Sequence, residues 1–235
     1  MNCSRLAVAC GIPVLLPALL PVLGLALLAP LTACSTHDRA GTLRMESLGA
    51  HRMTLERGFA NGAYAELESE HSFWFSDVGL EQLAAGTEDH PVAEAIILHA
   101  QLVWLPEPGR TPLADTATNA VTRVVVVSDG EVGLYGGAAF ARPKGELGSD
   151  EVEISLRGGT MKLLAKTEGF HDLLGPVGLS GTFTAKLAPA DAALWRRGVS
   201  QFVTNALGRS MWVQAAPGTD PRAEPIAEHP ALAAH

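Results

Sequence analysis

Four consecutive valines, Val124 to Val127, an Asp129-Gly130 pair and a further extended run from Glu131 to Tyr135 predict a β-hairpin. Asp-Gly between two β-rich runs favours a two-residue type I′ turn, because both turn positions need positive φ. A period of two recurs on either side. Ala63, Ala65, Leu67, His71, Phe73 and Phe75 share one face and Glu66, Glu68 and Glu70 the other, which predicts a half-buried strand. Asp77 can then cap a short helical turn through Leu80 and Leu83. Val92 to Leu105 reads as a second strand, apolar on both faces, ended by Pro106, Pro108, Gly109 and Pro112. Val152, Ile154 and Leu156 alternate with Glu151, Glu153, Ser155 and Arg157. Gly158-Gly159 then reads as a turn and Thr160 to Thr167 as the returning strand. Leu179, Phe183, Ala185 and Leu187 face inward in a last strand. From Asp191 the period changes: Trp195, Val199, Phe202, Val203 and Ala206 recur at helical spacing, with Gly208 just past the end. The expected fold is mainly β, an antiparallel sandwich or open barrel of about seven strands. Its C-terminal amphipathic helix would cover an edge or plug an end. The alternative is an α+β layer.

The start of the chain differs in kind. Leu6 to Ala33 carries no charge and Arg5 is the only basic residue before it, the layout of a secretory signal peptide. About 20 apolar residues suffice to cross a bilayer, but Pro13, Pro17, Pro21 and Pro30 each remove a helix donor and disfavour one continuous spanning helix. The run ends in Leu31-Thr32-Ala33-Cys34, which resembles the lipobox of bacterial lipoprotein precursors. Ala7-Val8-Ala9-Cys10 is a partial match with too little apolar sequence ahead of it. The resemblance implies cleavage between Ala33 and Cys34, diacylglycerol on the Cys34 thiol and an acyl chain on the new amine; apart from these lipids, no cofactor is expected. In such lipoproteins an aspartate after the cysteine often retains the protein in the inner membrane, so Ser35 favours the outer one within the cell envelope. Cys3 and Cys10 fall in the discarded leader, so Cys34 has no disulfide partner. The chain thus divides into a signal peptide (1–33), a lipidated tether (34–60), a single β-rich domain (61–213) and a disordered tail (214–235) containing Pro217, Pro221, Pro225 and Pro230.

Losing Arg5 with the leader takes the formal net charge from −8 to −9. An acidic body excludes nucleic acid as a partner, since that affinity comes from Lys and Arg on phosphates. Catalytic motifs lack their usual parts. Gly178-Leu179-Ser180-Gly181 has its second glycine one place too early for a nucleophile elbow, and Ser180 lies in an alternating strand. His71, His90, His99 and His171 show no metal-ligand spacing. Asp150, Glu151 and Glu153 lack the period of a calcium loop and read as a solvated strand face. No catalytic or metal residue is therefore nominated. The ligand-pocket candidates are His71, His99, Trp74 and Trp104, with Trp195 reading as core bulk. The expected role is a non-catalytic envelope module, held by membrane lipid through Cys34, that binds an apolar ligand or an envelope protein. A structural component of an envelope complex and a surface-tethered hydrolase are the alternatives. An enclosed apolar cavity would favour ligand binding, and a solid core with an exposed patch would favour assembly.

Overall fold

The computed structural model describes residues 40–67, 70–85, 92–107 and 117–212. Expectations for the leader, for Cys34 and for the tail 214–235 lie outside the described residues. Among these residues nine strands form one sheet: β1 (Gly41–Ser47), β2 (Thr54–Phe59), β3 (Asn61–Leu67), β4 (Glu70–Ser76), β5 (Glu94–Leu102), β6 (Ala120–Ser128), β7 (Glu131–Lys144), β8 (Glu151–Lys166) and β9 (Val177–Leu187). Two helices accompany them, α1 (Leu80–Ala85) and α2 (Pro189–Leu207).

Strands β3 to β9 pair antiparallel in chain order. The sheet then closes into a barrel-like ring, because β9 returns to β3 through the parallel pairs Ala63–Lys186 and Tyr64–Leu187. The first half of β9 is flanked instead by β1, with β2 outside it. Only Ala60 separates β2 from β3, so one run of chain serves first the flap and then the ring.

The β6–β7 turn is as expected, with φ of 52° at Asp129 and 80° at Gly130. Three other expectations are corrected. The tether assigned to 34–60 is sheet from Gly41 onward. Leu43 and Met45 are wholly buried against the same core as β9 while Thr42, Arg44 and Glu46 face out. The single strand expected from Ala63 to Phe75 is the β3–β4 hairpin. It pairs Tyr64 with Phe73 on the inner face and Ala63 with Trp74 on the outer. Gly158-Gly159 is not a turn. β8 runs straight through it, with a register shift against β9 between Leu156 and Gly159. One extra residue there moves the buried set from Val152, Ile154 and Leu156 to Gly159 and Met161, as a bulge must.

Aromatic side chains fill the ring. Phe183 lies 4.8 Å from Phe75 and 5.8 Å from Phe59, centroid to centroid, and Phe73 stacks on Tyr64 at 5.2 Å. Each end is fastened by a tyrosine hydroxyl. Tyr64 donates to the carbonyl of Ser149 and accepts from Gly148 N–H, while Tyr135 donates to Asp172 at 2.6 Å. Outward positions on β3 to β7 are also apolar: Ala63, Ala65, Trp74, Ala95, Ile97, Val125, Val127, Val132 and Leu134. This second apolar face explains why α2 lies on the outer wall rather than on an edge or in an end. It buries Ala192, Trp195, Val199 and Val203 there, at ~1.5–3 kcal/mol for each large side chain fully removed from water. Pro189 starts the helix where a missing N–H costs nothing, and Gly208 ends it in the left-handed conformation at φ 65°.

Candidate functional site

Trp74, His99 and Arg123 occupy one cross-strand row on β4, β5 and β6, and Ser72 and Gln101 occupy the next. These residues project outward, beyond the part of the wall that α2 covers most fully. After Gly208 the chain returns and lays Trp212 over the row. Its ring sits 5.5 Å from Trp74 and 5.7 Å from His99, while Trp74 and His99 stack at 4.2 Å. The Arg123 guanidinium lies 5.4 Å from the centroid of Trp212, a cation–π contact. Arg196 from α2 and Glu70 from the start of β4 complete the lining of a recess of about 80 Å³.

His99 is only 6% exposed. Burial, reinforced by the charges of Arg123 and Arg196, lowers its pKa to about 3, so the imidazole is neutral at physiological pH. Trp74 Nε1 donates to Ser72 Oγ at 3.0 Å, and Ser72 Oγ is 3.0 Å from His99 Nε2. His99 Nδ1 is buried without a hydrogen-bond partner. Burial also lowers the pKa of Arg123. Glu70 accepts a hydrogen bond from the Gln101 amide. Among the described residues neither Arg123 nor Arg196 is paired with a carboxylate.

Ser72 and His99 touch, yet they are not arranged for nucleophilic catalysis. Ser72 Oγ already accepts from an indole, no carboxylate among the described residues orients Nδ1, and a base of pKa about 3 is far from matched to neutral pH. The recess is better suited to holding a small anionic group against an aromatic wall.

Of the four pocket candidates, Trp74 and His99 come together here. His71 faces the ring interior on the alternate side of β4, where its Nδ1 is buried and unpartnered. Trp104 lies past the end of β5, 38% exposed, its indole donating to the carbonyl of Thr118 at 3.2 Å. Arg123, Arg196 and Trp212 were not among the candidates. Arg123 carries a usable signal, since it is the lone charge in the apolar run Ala120–Val127. Trp212 carries none, because it follows the helix stop and belongs to no period. A larger groove of about 1000 Å³ runs between α2 and the β6–β7 turn. Four of its polar side chains are engaged in pairs, Thr167 with Glu131 and Gln201 with Asn205 at 2.7 Å. The smaller recess holds the buried, unpartnered Nδ1 of His99 beside two arginines, and we take it as the site.

The neutral histidine gives stability a pH dependence. Between about pH 6.5 and pH 3 the unfolded chain protonates His99 and the folded chain does not. Stability attributable to this residue is therefore full above that window and falls as pH drops through it, by at most about 1.4 kcal/mol per pH unit. Urea midpoints measured from about pH 7 to about pH 4 should fall less steeply in His99→Gln than in wild type. Parallel profiles would count against a buried neutral imidazole.

Compared with known proteins, the chain matches no family model, no curated protein and no solved structure.

Proposed function

We propose that the chain is a bacterial envelope lipoprotein, cut before Cys34 and fixed to the membrane by diacylglycerol and an acyl chain on that residue. Its β domain acts by binding rather than by catalysis. The observation that supports this reading is the lipobox-like Leu31-Thr32-Ala33-Cys34 at the end of an uncharged run. Only Ser35 to Ala40 separate Cys34 from β1, a leash of roughly 20 Å when fully extended. Two or more acyl chains hold essentially for good, because each buried methylene contributes about 0.8 kcal/mol. A domain so attached works against the bilayer surface, whereas the longer tether of the sequence reading would have let it range. Ser35 favours the outer membrane.

The aromatic packing of the ring leaves an interior apolar ligand without support, so binding is assigned to the outer recess beneath Trp212. A second reading, a component of an envelope assembly, is favoured by Val103, Trp104, Leu105 and Val121. Val121 pairs with Gln101 of the recess, and the four are 46%, 38%, 44% and 37% exposed in that order. A tethered hydrolase ranks behind both, because no carboxylate among the described residues orients the Ser72–His99 pair.

Labelling cells with palmitate tests the anchor. Wild type should incorporate label, and Cys34→Ala should lose it entirely while retaining residues 1–33. Label that persists in Cys34→Ala, or unchanged cleavage, would remove the proposal.

A further inference from the structure

We propose that Arg123 and Arg196 hold a phosphate-type oxyanion in the recess beneath Trp212, carried by a soluble phosphomonoester or by a lipid headgroup. This deepens the assignment of the recess as the binding site, but it does not depend on the lipid anchor.

Arg44, Arg57 and Lys144 each have a carboxylate partner. Arg123 and Arg196 converge on His99 and have none among the described residues. Arg123 is half-buried, and a cation withdrawn from water without a counter-ion is costly. An anion in the recess would relieve that cost. Guanidinium forks also match the geometry of phosphate oxygens, which a lysine would meet only as a point charge.

Size and surroundings agree. A recess of about 80 Å³ holds roughly half a dozen water-sized positions, enough for the five heavy atoms of a phosphate but not for a nucleotide or sugar. Trp74, His99 and Trp212 form an apolar wall that strengthens the interaction with either arginine. Because His99 is neutral, the two guanidiniums are the only positive groups among the described residues lining the recess. The buried, unpartnered Nδ1 of His99 is a separate sign that this wall lacks a polar partner. One group opposes the anion. The Glu70 carboxylate lines the same recess, held by the Gln101 amide, and its repulsion supplies a test that a purely structural role would not pass.

The full chain in nonionic detergent can be titrated with inorganic phosphate while tryptophan fluorescence is followed, with chloride at equal ionic strength as control. A parallel titration uses mixed micelles of phosphatidylglycerol, with phosphatidylcholine as control. A saturable response is expected, about tenfold weaker in Arg196→Gln and in Arg123→Gln and tighter in Glu70→Gln. A response to both probes assigns a soluble phosphate, and a response to phosphatidylglycerol alone assigns the headgroup. Arg196 is exposed, so its variant keeps the test valid even if Arg123→Gln loosens Trp212. No saturable response to either probe, an equal response to chloride, or midpoints unmoved by Arg196→Gln would overturn the proposal. Loss of lipid from Cys34 would leave the phosphate titration unchanged, so failure of the anchor and failure of this site are separable.

Discussion

Phe183→Ala should lower the unfolding free energy by about 3–5 kcal/mol, the range for truncating a large buried aromatic side chain. Phe183 is wholly buried and joins the two parts of the sheet. Its ring meets Phe59 of β2 and Phe75 of β4, so it couples the β1–β2 flap to the ring. The surroundings cannot collapse onto the vacancy, because Gly41 and Gly181 both lie against the same ring and their backbones are held in ladders. The cost should therefore sit at the upper end of that range. Urea unfolding checks it: the midpoint should fall with the slope unchanged. A loss below about 1 kcal/mol would mean that the aromatic ladder is not the centre of the core.

Gly137→Ala should also be strongly destabilising, for a different reason. A Cβ at this position would lie 1.9 Å from the carbonyl oxygen of Thr160 and 2.8 Å from Met161 Cα, both main-chain atoms of the neighbouring strand. Nothing flexible can yield, so β7 and β8 must separate locally. Overpacking of this kind costs ~1–3 kcal/mol, occasionally more, and the loss of ladder hydrogen bonds in the longest strand pair adds to it. Register shifts flank the site, between Leu134 and Tyr135 and between Ala138 and Phe140. The Gly136-Gly137 pair is thus where the wall bends to close. Hydrogen exchange should show amides of Gly136–Ala138 and Thr160–Lys162 losing protection ahead of β5 and β6. Uniform protection across all four strands would show that the glycine is dispensable.

These two positions also mark how far the sequence could be read. The β6–β7 turn is legible because Asp129-Gly130 carries its own conformational demand, and α2 because a period of 3.6 is sustained over many residues and ends at a glycine. Gly158-Gly159 is only half legible. The change of phase in the alternation is plain, but a turn and a bulge both produce it, and only the partner strand decides between them. β9 runs past both halves, so the element is one bulged strand. The flap is illegible for a related reason. β1 buries only Leu43 and Met45, β2 only Phe59, and the strand that accepts them lies far along the chain. Local periodicity cannot see such a pairing.

The site follows the same logic. Trp74 and His99 stand out as unusual residues within strands, yet nothing local says that they share a face. Alternation continued across an unseen turn places Trp74 opposite Phe73 correctly but gives Ala63 and Ala65 the wrong side. Arg196 sits on the exposed side of α2 among other charges, and Trp212 reaches the recess only because Gly208 turns the chain back. The pocket is a product of tertiary return, with one hint, Arg123, left in the sequence.

The intact mass of the protein recovered from envelope membranes tests the proposed anchor at Cys34 most directly. The mass should correspond to a chain beginning at Cys34 with a diacylglycerol thioether and an amide-linked acyl chain. A mass that includes residues 1–33, or one showing an unmodified thiol at Cys34, would contradict the anchor and the short leash that follows from it.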